Sequence, residues 1–248
     1  MAKPVLYQFP VSHYCEKVRW ALDHKHLQYE TRNLLPLFHM PVAFRRTRQN
    51  KVPILKLDGR YVANSATILQ TLEERFPSAP SFYPEDEQAL AEALDWEAYA
   101  DREIGPHLRR TAYFHIIDDS RLMFEILTQG QSAIGRMAFR TSQTVVIRAM
   151  KEGMGINERG YERSLERLTA ALDHLDNRLG DGAGYLVGNR FSVADLAVAA
   201  LLGPLAQPPE APFQLPGEQP QAMKDFLAAF EGRPTLDWVR EIYRKHRC

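Results

Sequence analysis

The sequence predicts an α/β domain followed by an all-α domain. Three observations carry this prediction. Short apolar runs alternate with helical patterns up to residue 75, prolines cluster between residues 77 and 84, and the patterns that follow are helical. A chain of 248 residues is long enough for two units with cores of their own. We therefore expect domains at residues 1–80 and 87–248, joined by a short linker.

The first half of the α/β domain is predicted as a βαβ unit. Strands are expected at Val5–Gln8 and, more weakly, at Tyr29–Leu34, on either side of an amphipathic helix at Tyr14–Lys25. The basic segment from Phe38 to Arg48 then reads as a poor helix or a loop. This order brings two strands and a helix together near the N-terminus.

The second half of this domain is predicted as ββα. Asp58-Gly59 favours the positive φ angles of a tight turn between Ile54–Leu57 and Tyr61–Ala63, so these strands should be antiparallel. A helix is expected at Ser65–Arg75, with Ser65 as its N-cap.

Helical patterns fill the rest of the chain. They are expected at Glu87–Arg110, about Asp119–Gln129, about Thr141–Lys151, Glu158–Leu179, Ser192–Leu202 and, in two pieces, Gln221–Arg247. Ser192 and Asp195 have the spacing of a capping box, and the helix behind them is apolar all round. That helix should be the buried centre of the domain.

Composition excludes several classes of protein. Thirty-one basic residues balance thirty-one acidic ones, so the charge footprint of a nucleic-acid binder is missing. Two cysteines, Cys15 and Cys248, do not form the framework of a secreted fold, and the sequence has neither a signal peptide pattern nor a membrane-spanning run. We expect a cytoplasmic protein. Metal-ligand spacing, a glycine-rich phosphate loop and a Gly-x-Ser-x-Gly elbow are also missing from the sequence, so no metal is expected.

Chemistry is concentrated where the first strand runs into the first helix. Ser12 stands at the helix start, where its hydroxyl can cap the helix or donate a hydrogen bond to a bound thiolate. Cys15 lies about one turn inside this helix. A cysteine there can be a nucleophile of lowered pKa, but more commonly it is an inert core residue. Tyr7 and Tyr14 supply further hydroxyls, which can assist a thiolate or simply pack.

Two later motifs lie at strand ends. Pro53 enters the third strand after Lys51 and Val52, either as a cis peptide that exposes the neighbouring backbone or as an ordinary strand-edge proline. Asn64-Ser65 ends the fourth strand and opens a helix, where amides and a hydroxyl can bind a carboxylate or cap the helix.

The order of these motifs resembles the glutathione S-transferase family over nearly the whole chain, most strongly at residues 5–80 and 185–202. The resemblance implies a thioredoxin-like N-terminal domain that binds glutathione. It also implies an all-helical C-terminal domain that shapes a pocket for a second, hydrophobic substrate, and a homodimer.

The resemblance also assigns roles to residues. It implies that Ser12 stabilises the glutathione thiolate, with Cys15, Tyr14 and Tyr7 as alternates. Lys51 would lie near the glycyl carboxylate, the backbone of Val52, beside a cis Pro53, would pair with the cysteinyl part, and Asn64-Ser65 would hold the γ-glutamyl end. The sequence departs from the family in having neutral Asn64 where an acid is usual, His13 where proline is frequent, and a long segment at residues 111–157.

The expected substrate pocket lies on the first long helix of the second domain. Its candidates are Tyr99, Arg102, Glu103 and His107, at helical spacing, although some can instead pack or hold a dimer.

The leading hypothesis is a glutathione transferase of detoxification that conjugates or reduces small electrophiles or peroxides. The alternatives are a thiol reductase that uses Cys15 and a non-catalytic binding protein of the same fold. Asn64 and His13 keep the last hypothesis open.

Overall fold

The computed structural model describes residues 3–180, 182 and 184–247. Cys248, one of the two cysteines, lies outside these residues. None of the helices in the described ranges combines the length and the apolar character that crossing a bilayer requires.

The N-terminal domain is built on a four-stranded sheet in the order β2-β1-β3-β4. β1 is parallel to β2 and antiparallel to β3, and β3 and β4 form an antiparallel hairpin. The elements are β1 (Val5–Gln8), α1 (His13–His24), β2 (Glu30–Asn33), α2 (His39–Thr47), β3 (Ile54–Leu57), β4 (Arg60–Ala63) and α3 (Ser65–Arg75). The predicted βαβ, α, ββα order is confirmed, and the basic segment after β2 is a helix.

The hairpin turn between β3 and β4 has the predicted chemistry. Asp58 and Gly59 have φ angles of 46° and 81°, the left-handed conformation that a tight turn between twisted strands requires. The pairing runs from Leu57 opposite Arg60 to Ile54 opposite Ala63.

The N-cap of α3 differs from the prediction. Asn64, not Ser65, is the cap, because its side-chain oxygen accepts a hydrogen bond from the backbone N–H of Ala66 at 2.9 Å. Asn64 has a φ of 74° and a ψ of 129°, outside the left-handed helical region that asparagine tolerates, so its backbone is strained at the edge of the site. Ser65 is therefore the first helical residue, and its side chain is buried.

The chain from Phe76 to Asp86 has no regular helix or strand, and eight α-helices follow it in the described ranges 87–180, 182 and 184–247. These are α4 (Glu87–Tyr99), α5 (Gly105–Ile116), α6 (Ser120–Leu127), α7 (Ala133–Met154), α8 (Glu158–Leu179), α9 (Val193–Ala206), α10 (Gln221–Ala228) and α11 (Pro234–His246). The all-helical prediction for this part is confirmed in the residues that the structure describes.

The helix expected at Glu87–Arg110 is divided. A π-helical turn, Ala100–Ile104, joins α4 to α5, and Pro106 is the second residue after it. Proline has no N–H to donate and its ring collides with the preceding turn of an α-helix. The wider π turn accommodates the proline, so the helix continues from α4 into α5.

The 111–157 segment forms a helical hairpin, and α7 is longer at both ends than the predicted Thr141–Lys151. The hairpin turn reaches the N-terminal domain, where the Gln131 side chain donates to the carbonyl of Asn33 at 2.9 Å.

Helix α9 is the buried centre of the second domain, as predicted. Thirteen of its fourteen residues are buried, and it packs against α1, α4 and α11. Its capping box is formed, since Asp195 accepts from the backbone N–H of Ser192 at 2.8 Å and from its hydroxyl at 2.9 Å. Asp195 also accepts from the Leu186 N–H at 2.7 Å, and burial raises its pKa to about 6.

Candidate functional site

The register of the sheet brings the predicted motifs to one edge. Tyr7 in β1 is opposite Ile54 in β3, and Ile54 is opposite Ala63 in β4. The turn after β1, the residues before β3 and the start of α3 therefore meet at the same end of the sheet. Three motifs that lie up to 53 residues apart in the sequence, from Ser12 to Ser65, form one candidate site.

Ser12 closes a turn at this edge and caps α1. Its N–H donates to the carbonyl of Phe9 at 3.1 Å, and its hydroxyl oxygen accepts from the N–H of Cys15 at 3.3 Å. A hydroxyl that accepts through a lone pair keeps its own proton for donation. The cap and a role as hydrogen-bond donor are compatible, and the cap fixes the direction of the side chain.

Cys15 is fully buried on the core side of α1. Burial raises the pKa of its thiol, and this outweighs the nearby Arg19 charge and the hydrogen bond to Ser12, both of which lower the pKa. A buried thiol of raised pKa carries little thiolate at neutral pH. The thiol therefore has the properties of core.

The two tyrosines have partners other than Ser12. The ring of Tyr7 lies under the guanidinium of Arg46, 4.8 Å from the ring centre, and beside the ring of Tyr61. Tyr14 donates its hydroxyl proton to the backbone carbonyl of Asp101 at 2.9 Å, across the boundary between the domains. Burial, and then Asp101, raise the pKa of Tyr14.

The segment before β3 presents backbone groups to the site. The Val52–Pro53 peptide bond is cis, and the N–H and C=O of Val52 make no hydrogen bond to the described residues. His39 ties α2 to this segment through a 2.9 Å hydrogen bond between its Nε2 and the carbonyl of Asn50. Lys51 is exposed beside the open backbone.

The N-terminus of α3 forms the third part of the site. Asn64 caps the N–H of Ala66, whereas the amides of Ser65 and Thr67 have no hydrogen-bond partner in the described chain. Unpaired amides at the start of an eleven-residue helix favour a carboxylate ligand.

An open groove of about 470 Å³ runs beside Asn64 between α3 and the helical domain. It is lined by Asn64, Ala66, Gln70, Leu94, Glu97, Ala98, Asp101 and Arg102. Glu97 and Asp101 both bind the buried ammonium of Lys17, at 2.9 and 3.0 Å. One ammonium thus serves two carboxylates, and Arg102 brings a second positive charge to the same groove.

The expected pocket residues are not brought together at Ser12. Tyr99 packs on His174, Glu103 pairs with Arg167 and His107 contacts Ser164, all of which belong to α8. Arg102 pairs with Glu103 and lines the groove beside Asn64 instead.

A different face of α5 meets the start of α1, and sequence reasoning missed it. The ring of Tyr14 lies directly on Gly105, where a Cβ atom would collide with the tyrosine hydroxyl. Arg109 and Tyr113 follow Gly105 at intervals of four residues and so share its face. The spacing was visible in the sequence, but the partner of this face was not.

Arg19 was also missed. It donates to the carbonyl of Pro10 at 3.1 Å and to the side chain of Gln8 at 2.6 Å, and so supports the turn that carries Ser12. Glu16 holds Arg19 at 2.7 Å and also binds Arg247 near the C-terminus at 2.7 Å. The described residues contain no group of three His, Cys, Asp or Glu side chains arranged to hold a metal ion.

Comparisons with known proteins agree with this architecture. Residues 6–93 match the model for the glutathione S-transferase N-terminal domain, and residues 158–241 match that for the C-terminal domain. The chain is 28% identical to "Glutathione S-transferase TCHQD" of Arabidopsis thaliana over 210 residues, 81% of this chain and 76% of that protein. It is 27% identical to "Glutathione S-transferase theta-2" of Mus musculus over 86% of this chain and 68% of that one. The structure of human glutathione-S-transferase T1-1, 21% identical, superposes with a TM-score of 0.64 over 99% of this chain and 84% of that one.

Proposed function

The chain belongs to the glutathione S-transferase family, and from this premise we propose that it activates the thiol of glutathione for conjugation to, or reduction of, small hydrophobic electrophiles or peroxides. The observation that carries the proposal is the meeting of Ser12, Val52 and the start of α3 at one edge of the sheet. These groups match a tripeptide that has a carboxylate at each end and a thiol between them.

In the proposed binding mode, each part of glutathione meets a matching group. The free backbone of Val52 pairs with the cysteinyl residue, and Lys51 neutralises the glycyl carboxylate. The γ-glutamyl carboxylate lies on the amides at the start of α3. Glu97 and Asp101, which line the groove beside Asn64, supply the negative charge for the γ-glutamyl ammonium that neutral Asn64 lacks.

Ser12 then stabilises the thiolate. A free thiol with a pKa of about 8.5 is only about 3% ionised at pH 7, and lowering the pKa by about 2 units raises this to about 76%. Such a shift corresponds to about 2.7 kcal/mol, at about 1.36 kcal/mol per pKa unit. One hydrogen bond to a charged group supplies about 1.5–3 kcal/mol and the N-terminus of α1 about 0.3–1 kcal/mol, so the two together suffice.

The transfer needs no further oxidant or metal. With an aryl chloride, the C–S bond forms while the C–Cl bond breaks and chloride leaves with the bonding electron pair. The thiol proton passes to solvent when the thiolate forms. Ser12 keeps its own proton throughout, because its role is to donate a hydrogen bond.

Burial argues against the reductase alternative. A thiol that exchanges with a disulfide must be accessible and at least partly ionised, whereas Cys15 has no exposed surface and a raised pKa. The non-catalytic alternative differs from the transferase in one measurable property, which is whether the bound thiol ionises below its usual pH.

The test compares wild type, Ser12→Ala and Cys15→Ser. Glutathione binding is measured by calorimetry, and ionisation of the bound thiol is followed by thiolate absorbance from pH 5 to 9. We expect wild type and Cys15→Ser to lower the pKa of the bound thiol by about 2 units, and Ser12→Ala to lose most of that shift while still binding glutathione.

Three results would contradict the proposal in different ways. A full shift in Ser12→Ala would move the role to another group. If wild type reduces a mixed disulfide of glutathione and Cys15→Ser does not, with the shift intact in both, thiol exchange would be favoured. If glutathione does not bind wild type at millimolar concentration, the enzyme proposal fails and a binding protein takes its place.

Membership of the family also carries our proposals of a homodimer, of a cytoplasmic location and of a role in detoxification. A dimer would have twice the 28.4 kDa mass of the chain, which light scattering measures directly.

A further inference from the structure

The α5 face that meets the start of α1 contains a cation without an acidic partner. Arg109 is exposed, and no carboxylate in residues 3–180, 182 or 184–247 pairs with it. Its charge acts on His13, Tyr14 and Tyr113. Asp101, which acts on Tyr14 as well, is already bound to Lys17. Arg109 therefore adds a positive charge that no acid in the described chain balances, on the α5 face that meets the start of α1.

His13 adds a second observation at the same place. Its side chain is 6% exposed, and its Nε2 atom has no hydrogen-bond partner in the described part of the chain. Its ring packs edge-on against that of Tyr14, with 4.9 Å between the ring centres. A buried polar atom without a partner is rare in folded proteins and remains available to hydrogen-bond a bound molecule.

Tyr113 completes the group. It lies one turn beyond Arg109 on α5, half-buried, and its hydroxyl makes no hydrogen bond to the described residues. Burial lowers the pKa of His13 to about 3, so His13 is neutral at pH 7. The group thus offers one full positive charge, a phenol and a neutral imidazole.

We propose that Arg109, His13 and Tyr113 form the second-substrate site and select electrophiles that carry a carboxylate near the reacting carbon. This inference rests on the proposed function, which puts the activated sulfur at Ser12, the residue before His13. One cation balances one carboxylate, and a guanidinium binds both carboxylate oxygens in parallel. A phosphate dianion would leave one negative charge unpaired in this group.

The selectivity is expected in both binding and turnover. In the transfer step the carboxylate takes no part in the bonds that form and break, so Arg109 acts by holding the electrophile. Arg109 also offsets the repulsion between the carboxylate and the glutathione thiolate, an interaction that is strong at short distance in a partly dry cleft.

The probes are two glutathione conjugates that differ only in charge. S-(4-carboxybenzyl)glutathione and S-(4-carbamoylbenzyl)glutathione are titrated by calorimetry into wild type, Arg109→Gln, Arg109→Lys and Arg163→Gln. Arg163 is a matched control, since it is exposed on α8 and its side chain donates only to a backbone carbonyl of its own helix, that of Arg159.

We expect wild type and Arg163→Gln to bind the carboxylate conjugate at least tenfold more tightly than the carboxamide. Arg109→Gln should bring the ratio close to one, and Arg109→Lys should keep part of it. The ratio of kcat/KM for 4-chloro-3-nitrobenzoate over 4-chloro-3-nitrobenzamide should change in parallel.

Unmodified glutathione, titrated into the same four proteins, tests the proposed function separately from the proposed selectivity for a carboxylate. If glutathione binds and wild type does not discriminate between the conjugates, or if Arg109→Gln still discriminates, this inference is overturned and the proposed function stands. If glutathione does not bind wild type, both fall together.

Discussion

Three residues in one helical turn have different chemistry because their burial differs. Ser12 is half-buried and keeps a proton to donate, whereas the His13 imidazole and the Cys15 thiol are buried. Burial disfavours the charged form of each, so it lowers the pKa of the histidine and raises that of the cysteine. At neutral pH both are uncharged. The Arg109 guanidinium, whose charge acts on His13, has no acidic partner in the described chain.

The pKa of His13 predicts a pH dependence of stability. Between about pH 6.5, its unfolded value, and about pH 3, its folded value, the unfolded chain binds a proton that the native state does not. The free energy of unfolding therefore rises with pH in this window and falls as the solution becomes acidic. At pH 5 the loss from this group is about 2 kcal/mol, at about 1.36 kcal/mol per pKa unit.

The measurement is urea unfolding of wild type and His13→Gln at several values from pH 7 to 4.5. Wild type should lose more stability than the variant as pH falls, with the difference opening below about pH 6.5. Other histidines with lowered pKa, such as His24 and His115, contribute equally to both proteins. Parallel curves for the two proteins would contradict the assignment.

At the scale of single elements, polar side chains at helix N-termini specify where most of the helices begin. Ser12, Asn64 and Asp86 each accept a hydrogen bond from the first turn of the helix they precede, and so do Asp119, Ser132 and Asn157. Each satisfies a backbone N–H that the helix leaves unpaired. Such signals are local, which explains why helix positions were predictable from sequence.

The α9 capping box is the strongest of these starts, because Asp195 is fully buried and accepts from three donors. Asp195→Ala leaves the N–H groups of Leu186 and Ser192 without partners inside the core. We expect a loss of about 2–4 kcal/mol in the free energy of unfolding.

Asp237→Ala is the control for this prediction. Asp237 also lies in the first turn of a helix, α11, but its side chain is 69% exposed in its pair with Arg240. Its loss should cost less than about 1 kcal/mol. Equal losses in the two variants, measured by urea unfolding, would show that burial of the cap does not matter.

Across the whole molecule, buried polar contacts join the two domains. Lys17 in α1 binds Glu97 and Asp101 at the end of the first long helix of the second domain. At the opposite end of the chain, Arg247 binds Glu16 and Asp23 of α1. The domains are thus held by α1, the helix whose N-terminus carries Ser12.

The substitution Lys17→Met tests the ion pairs that Lys17 forms between the two domains. Lys17 is completely buried, and its removal leaves two carboxylates without their ammonium. Breaking a buried ion pair by removing one partner costs about 3–5 kcal/mol, so we expect a loss of that size at pH 7. Adding Glu97→Gln removes the buried charge and should recover more than half of it.

Recovery of stability in the double variant would show that the loss in Lys17→Met comes from unpaired charge and not from lost packing. Burial raises the pKa of Glu97, and Lys17 lowers it. Without Lys17, this carboxyl should take up a proton more readily, and the deficit of Lys17→Met should shrink as pH falls from 7 to 5. A double variant as unstable as the single one, in urea unfolding, would attribute the effect to lost packing.

Some residues of the candidate site could be predicted from the sequence and others could not, because only some of them are marked by local sequence patterns. Ser12, Val52 and Asn64 lie at element ends, and turn and cap chemistry marks such positions in the sequence. The expected pocket residues, from Tyr99 to His107, were chosen by helical spacing alone, and spacing does not tell which neighbour a face meets. The structure directs three of them to α8.

The sequence by itself determined the order of strands and helices, the turn at Asp58-Gly59, the capping box of α9 and the family, because each depends on residues close together in the chain. Tertiary structure alone decided that Cys15 is core, that Tyr14 bonds to Asp101, and that the charge of Arg109 acts on His13 without an acidic partner in the described chain. Burial and charge pairing depend on which helices pack together. Residues 91 positions apart, Tyr14 and Gly105, meet through that packing.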